Sequence, residues 1–411
     1  MEHAMRRGLR INLKSDIIYI WLIAIALGDG YIIRVLANRI ASFIPGGLIT
    51  GPILMYGLFA ILYLLKFQEI LNNLIKKKTW DVAVIVIFVA VNVIVFKISG
   101  WDTRIHTETE TMARLVFFSL PVYAMARSIS DYDYIAERLW IVGYVFFFAS
   151  LSFLASSTNN IVGIQQGYDN FMSLGYQFGL CALIFLENYY HTENKKPINY
   201  VNLAMGILCL VLIIAYGSRG TLLVCAVYIV HLMLETGRKN GFSQRTFLLI
   251  AVVIVAFLMR NMILEALLSL IGNAGINSRT IAWLLRQDVN ITSSGRDQIY
   301  STAWSYIMMK PMLGTGLLGD RVYYGQYVHN LFLELMISHG IIFGGIFSII
   351  IIINYFRAML DYNTIRINYL VVFAIIQLVV SSSYIQSGCF WIALGIMLSA
   401  RKILNYQEVE T

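Results

Sequence analysis

An all-helical bundle that crosses a membrane many times is the fold class this sequence predicts, and three observations carry the prediction. Of the 411 residues, 58% are hydrophobic and only 13% charged, and the mean hydropathy is +0.70, far from the balance of a soluble domain. The apolar residues fall into runs about 20 long, the length that a hydrocarbon core about 30 Å thick demands of a helix. Runs such as 82–91 and 349–353 are continuously apolar. They lack the alternation of a membrane β-strand, and satisfying the backbone in lipid then leaves helices.

About twelve spans follow, near 16–37, 46–65, 81–99, 112–126, 138–155, 171–188, 199–216, 220–236, 246–268, 329–355, 368–386 and 388–400. The first is preceded by Arg6, Arg7, Arg10 and Lys14 and ends in Gly28-Asp29-Gly30-Tyr31 without a small-residue cleavage site; it reads as an uncleaved helix. The third is bracketed by Trp80 and Trp101, 21 residues apart. That spacing is about 31 Å of helix, matching an aromatic belt at each interface. The four cysteines all fall inside spans, as small apolar packing residues do. The chain thus reads as a single transmembrane domain over 1–411.

Charge sets the orientation. With the N-terminus inside, nineteen cations fall in the short segments on that side, among them Lys76 to Lys78, Arg127, Arg138, Arg357, Arg366, Arg401 and Lys402. Six fall in the short outside segments, at Arg34, Arg39, Lys97, Arg104, Arg114 and Arg219. Cytoplasmic loops carry the excess of Lys and Arg, so both termini are predicted cytoplasmic in a multi-pass protein. The net charge of +8 is explained by this rule; no basic face interleaved with aromatics points to nucleic acid.

The exception to the apolar pattern is 272–327, a polar connection between spans 9 and 10 holding five cations and three aspartates. The orientation makes it a long extracytoplasmic loop. Within it, Ser293-Ser294-Gly295-Arg296-Asp297 precedes apolar positions at 299, 300, 303, 304, 307 and 308, a helical period that predicts a helix lying in the outer interface. Ser294 and Asp297 have the spacing of a capping box. Arg296 then falls in the first turn, where free N–H groups already favour an anion. Lys310-Pro311 ends that helix, and Gly314-Thr315-Gly316 with Gly319-Asp320 reads as a flexible turn.

Two more elements reach the same membrane face. Tyr216-Gly217-Ser218-Arg219-Gly220 is a tight outside turn whose glycines admit close approach of a ligand, and its arginine has the fork geometry for phosphate oxygens. His329-Asn330 opens the tenth span. An imidazole at the membrane surface suits removal of a hydroxyl proton, with Asn330 or Glu334 to orient it; His339, about 15 Å further along the helix, reads as structural. Arg219, Arg296 and His329 are the catalytic candidates, and Arg219, Arg296, Asn330 and Ser218 the substrate-binding ones. There is no HExxH, cysteine cluster, GxSxG or phosphate-binding loop, and Asp288, Asp297 and Asp320 are too scattered to argue a metal site. A reaction without metal or cofactor is expected, arginines filling the charge role.

At these residues the chain resembles the O-antigen ligase and O-antigen polymerase (Wzy-type) superfamily of bacterial membrane glycosyltransferases. YGSRG at 216–220, SSGRD at 293–297, KPMLGTGLLGD at 310–320 and YVHNLFLELMISHG at 327–340 carry the resemblance, and FMSLGYQFGL at 171–180 looks like the sixth-span segment of capsule polymerases. The resemblance is firm over about 215–345 and loose elsewhere. It implies a class C glycosyltransferase-like fold in the bacterial cytoplasmic membrane. It also implies a donor glycan on undecaprenyl pyrophosphate, met by Arg219 and Arg296 at the outer leaflet, and a hydroxyl acceptor activated by His329. A glycan or lipid-linked acceptor, and a chain-length regulator or flippase, are the partners it suggests. Polymerisation of repeat units into O-antigen or capsule is favoured over ligation to a lipid A core. A flippase or transporter is the reading from another class, disfavoured because the two halves show no repeat and polarity gathers at one surface.

Overall fold

The computed structural model describes residues 13–29, 47–98, 105–157, 168–191, 197–216, 219–240, 265–266, 269, 296–325, 327–361 and 364–400. Every regular element among them is helical. In chain order these are α1 (Leu13–Gly28), α2 (Gly47–Lys76), α3 (Trp80–Ile98), α4 (Ile105–Arg114), α5 (Leu120–Ser128), α6 (Tyr132–Ala136), α7 (Leu139–Ser157), α8 (Tyr168–His191), α9 (Pro197–Tyr216), α10 (Arg219–Asn240), α11 (Arg296–Met309), α12 (Gly319–Tyr324), α13 (Leu331–Leu360), α14 (Asn368–Val380) and α15 (Gly388–Ser399). A π-helical turn, Leu115–Ser119, joins α4 to α5, and a 3-10 turn, Ile365–Ile367, precedes α14. Among the described residues three segments are long and apolar enough to cross a membrane, Ile53–Lys76, Tyr132–Ser152 and Leu331–Leu360, and five more helices are apolar but shorter. The ninth expected span, 246–268, lies outside the described residues except at 265–266, as does Trp101.

The bundle is built inside out relative to a soluble protein. Its centre is α8, buried from Leu174 to Leu186, packed against α7, α9, α10 and α14. The flanking helices turn large apolar side chains outward: Leu64, Leu65, Val84 and Ile87 on α2 and α3, and Ile346, Ile349 and Phe356 on α13 are all exposed. A continuous apolar exterior of this size belongs against lipid or another apolar partner. The four cysteines are buried and unbonded.

Polar side chains tie the helices at two opposite levels. At one, Arg127 grips Asp81 bidentately (Nε to Oδ2 2.7 Å, Nη2 to Oδ1 3.1 Å) and donates to Ser399 Oγ at 3.0 Å. Lys77 caps the carbonyls at the end of α5, and Arg366 pairs with Glu137 at 2.9 Å. These cations belong to the set that charge counting puts on the inner side. At the other level, Arg114, counted outside, joins Asp29 and donates to the Gln386 carbonyl at 2.6 Å.

A second lock sits in the last turn of α8, three residues past its predicted span. His191 Nδ1 lies 2.6 Å from Glu187 Oε1 and its Nε2 3.0 Å from Glu235 Oε1 on α10, while Tyr228 donates to Glu187. Burial works against a charged imidazole here, but the carboxylates of Glu187 and Glu235 outweigh it and raise the His191 pKa to about 10. The folded-state value therefore exceeds the unfolded one of about 6.5, so the stabilisation is complete below about pH 6.5 and is lost as pH rises through about 10. The melting temperature in detergent is expected to fall by several degrees between pH 7 and 10.5, and His191→Gln to flatten that slope; an equal slope in both proteins contradicts the lock.

Two expected spans take a different course. The tenth is one apolar run in sequence, yet it bends sharply at Gly340 (φ 77, ψ 173). A Cβ at Gly344 would lie 2.7 Å from Met336 Cα, whereas residues eight apart in a straight helix are separated by about 12 Å. Leu331 to His339 is thus a short helix folded back against the rest of α13. The cause is the Gly314-Thr315-Gly316 turn. It inserts at the bend, with Thr315 N–H donating to Ile337 O (2.7 Å), Gly316 N–H to Ser338 O (3.0 Å) and Ile341 N–H to Pro311 O (2.7 Å). The expected flexible turn is a backbone clamp, and Gly319-Asp320 after it starts α12. His339 packs between Phe88 and Phe347 with ring centroids 5.1 and 5.7 Å away, the structural place expected of it.

The eleventh span stops at Val380, six residues early. Residues 381–387 form an irregular segment between α14 and α15, helices of only 13 and 12 residues. Non-helical backbone within a membrane bundle must be satisfied by protein, and here it is: Ser119 donates to Ile385 O, Arg114 to Gln386 O and Trp391 to Tyr384 O.

Candidate functional site

The residues singled out in the sequence meet at this irregular segment. Arg219 is the first residue of α10. Ser218 lies outside the described residues, as do Ser294 and the rest of 272–295. Gly220 lies flush against α8 and α14: a Cβ there would collide with the Tyr176 hydroxyl and sit 3.0 Å from Val380 Cγ2. The same hydroxyl bonds with Ser381, and the charges of Arg296 and Tyr327 reach it. Tyr176 is therefore the hub around which the α10 start, the α11 start and the stretch before α13 converge.

Arg296 opens α11, so both arginines begin helices, where unsatisfied N–H groups add to the positive field. The helix itself is as expected. Its inner face, Ala303 and Ile307, is buried against Val328 and Ile337. Trp304, Met308 and Met309, with Met312 and Leu313 beyond, are exposed, which fits a helix resting at an apolar boundary.

His329 lies just ahead of α13 rather than in it, with a left-handed backbone (φ 57). Its ring is 4.2 Å from that of Tyr327. Asn330 is the N-cap: its Oδ1 accepts from Phe332 N–H (3.0 Å) and Leu333 N–H (3.1 Å), and its Nδ2 donates to Val379 O at 3.2 Å. Asn330 thus fixes the turn carrying the histidine, while Glu334 faces away from the imidazole. Fully buried, Glu334 accepts from Ser383 Oγ and from Tyr384 N–H at 3.3 Å.

Sequence reasoning passed over a polar group beside the histidine. Arg321 on α12 donates to Ser383 Oγ at 2.9 Å and lies 6.0 Å from the centre of the Tyr327 ring. Asp320, buried, accepts from the Arg321 N–H at 2.9 Å, and the Val328 amide faces the same carboxylate. Burial raises the Asp320 pKa, and the Arg321 charge opposes that rise. One sequence signal did point here: Tyr176 falls within 171–180. Nothing comparable marked Arg321 or Ser383, whose partners come from distant helices.

Backbone strain gathers at the same place. Among the described residues, Lys78, Leu318, His329 and Ser382 are the non-glycine residues with positive φ, and the last three surround this group. Each costs about 1 kcal/mol or more, the kind of outlier that persists where packing over-determines a site. The groove of about 550 Å³ between α1 and α7, walled by Ile17, Trp21, Ile141 and Phe146, is apolar and lies elsewhere. Among the described residues no group of His, Cys, Asp or Glu is arranged to hold a metal.

Arginines at helix starts and a histidine on a strained turn, drawn from separate parts of the chain, suit an anionic leaving group beside a hydroxyl to be deprotonated. Residues 204–349 match the family model described as O-Antigen ligase (Wzy_C). No curated protein and no solved structure matches the chain. The matched segment, about a third of the chain, contains Arg219, Arg296 and His329, and it supports the resemblance to the O-antigen ligase and polymerase superfamily.

Proposed function

We propose that the protein transfers a glycan from undecaprenyl pyrophosphate to the hydroxyl of a second lipid-linked glycan, polymerising repeat units of a surface polysaccharide at the outer leaflet of the bacterial cytoplasmic membrane. The convergence of the α10 start, Arg296 and the Tyr327–His329 stack on Tyr176 is the observation that carries this reading. In the reaction His329 takes the proton of the acceptor hydroxyl. The oxygen attacks the anomeric carbon, the bond from that carbon to the pyrophosphate oxygen breaks, and the lipid pyrophosphate leaves with the electron pair. Arg219 and Arg296 balance its charge. The leaving group is already activated, so neither nucleotide nor metal is needed. About twelve spans, both termini cytoplasmic and an extracytoplasmic 272–327 loop complete the picture.

A second reading, ligation to a lipid A core or other acceptor, is favoured by the description of the matching family. Both are read in one assay: the purified protein in vesicles with undecaprenyl-pyrophosphate-linked repeat units, with and without core oligosaccharide. A ladder from donor alone supports polymerisation, and a single transfer requiring the core supports ligation. No release of lipid pyrophosphate under either condition overturns the glycosyltransferase reading.

A further inference from the structure

The geometry points to Arg321 and Asp320 as a charge pair that positions His329 and sets its proton affinity, acting through the Tyr327 ring. This rests on the glycosyl-transfer reading above and adds to it residues that the three candidates leave out. Tyr327 is the link: the Arg321 guanidinium lies 6.0 Å from the centre of its ring and the His329 imidazole 4.2 Å from it. Arg321 is held from behind by Ser383, which is itself bonded to the buried Glu334. Its Nη1 and the Asp320 Oδ2 are buried without hydrogen-bond partners, so each charge is incompletely compensated and acts on its surroundings. Asp320 faces the amide of Val328, the residue before the histidine. The pair therefore touches the His329 turn on both the ring side and the backbone side.

Among the described residues, these charged and titratable groups belong to the segments that pack around the His329 turn. Tyr327 comes from its own segment, Arg321 and Asp320 from α12, Glu334 from α13 and Tyr384 from the irregular segment. Arg296 on α11 and Tyr176 on α8 meet Tyr327 from the far side. Within a buried setting of this kind, a unit charge about 10 Å from an imidazole shifts its titration by about one pH unit at an effective dielectric of about 20. A general base works only when neutral, so the transfer rate rises with pH through the His329 pKa. Removing the Arg321 cation leaves the Asp320 carboxylate unopposed and stabilises imidazolium, which moves this rise to higher pH. Removing the Asp320 charge does the opposite.

The test is the pH–rate profile of the full-length protein in vesicles carrying undecaprenyl-pyrophosphate-linked repeat units. Arg321→Gln is expected to move the acid limb up by about one pH unit and Asp320→Asn to move it down. Arg321→Lys is expected to keep the limb near its original place, and the double variant Asp320→Asn/Arg321→Gln to return toward it. A role in folding alone lowers the rate without moving the limb in opposite directions. Should Arg321→Gln fail to fold, the downward shift in Asp320→Asn and the unmoved limb of Arg321→Lys decide the matter. Limbs that stay fixed, or move the same way in Arg321→Gln and Asp320→Asn, overturn this proposal while leaving the glycosyltransferase reading intact. Full activity in His329→Ala sinks that reading and this one with it.

Discussion

His329→Ala is expected to leave the protein inserted in the membrane and to reduce glycan transfer from undecaprenyl pyrophosphate by about 10²- to 10⁴-fold, the usual worth of a positioned general base. Arg219→Ala is expected to cost about 10²- to 10³-fold, as when one group stabilising transition-state charge is removed. The two losses differ in kind. In the proposed reaction His329 acts on the acceptor, so its removal is expected to lower kcat with donor binding intact. Arg219 there meets a pyrophosphate that is charged in the ground state and more so on leaving, so its removal is expected to raise KM for the donor and lower kcat together. His329 sits on a left-handed turn outside the helix and Arg219 is half-buried at a helix start, so neither truncation opens a core cavity. Ladders of normal length from both variants in a reconstituted assay sink the assignment.

Gly340→Ala is expected to be the most damaging single substitution for the fold. Its backbone (φ 77, ψ 173) is open to glycine and strained for alanine. A Cβ there would also sit 2.6 Å from Met312 C and 2.7 Å from Pro311 O, atoms of the opposing backbone that have no side-chain freedom to yield. Strain and overlap together amount to about 3 kcal/mol or more. Gly314 faces the same junction from the other side, with a Cβ 2.6 Å from both His339 N and Ile337 O, so Gly314→Ala is expected to fail likewise. Because the 331–339 helix carries the Asn330 cap, activity is expected to fall with the folded fraction. Melting by fluorescence-detected size exclusion reads the loss, and a wild-type melting temperature in both variants contradicts the clamp.

The helices were legible where the apolar run was long and isolated, as at α3 and α9, since lipid imposes a length and a composition on each; α2 runs on to Lys76, past the expected end at 65. The period over 299–308 gave α11 and its buried face, and the cation count separated the Lys77–Arg127–Arg366 level from Arg114. What hydropathy could not reveal was direction. The run through 329–355 is equally apolar on both sides of Gly340, and a fold-back leaves no trace in an average. The 381–387 break was hidden in the same way, because Ser, Tyr and Ile there are no more polar than many helical stretches. In the candidate site, Arg219, Arg296 and His329 could be singled out because each stands at a run boundary. Arg321, Asp320 and Ser383 were not, since their pairing depends on α12, α13 and the α14–α15 connection arriving at one point.

The short pair α14 and α15 has a consequence for the bilayer itself. Helices of 13 and 12 residues reach about 20 Å and 18 Å, against a hydrocarbon core about 30 Å thick. Their far ends lie at the level of Arg127 and Ser399, so the Ser381–Ser387 connection stands about 10 Å short of the opposite surface in a bilayer of that thickness. Ser383 and Glu334 lie buried at that depth, so the bilayer thins over them or another part of the protein fills the gap. In the proposed reaction, a polyprenyl chain then stays in the surrounding lipid while its diphosphate approaches the thinned region from the side.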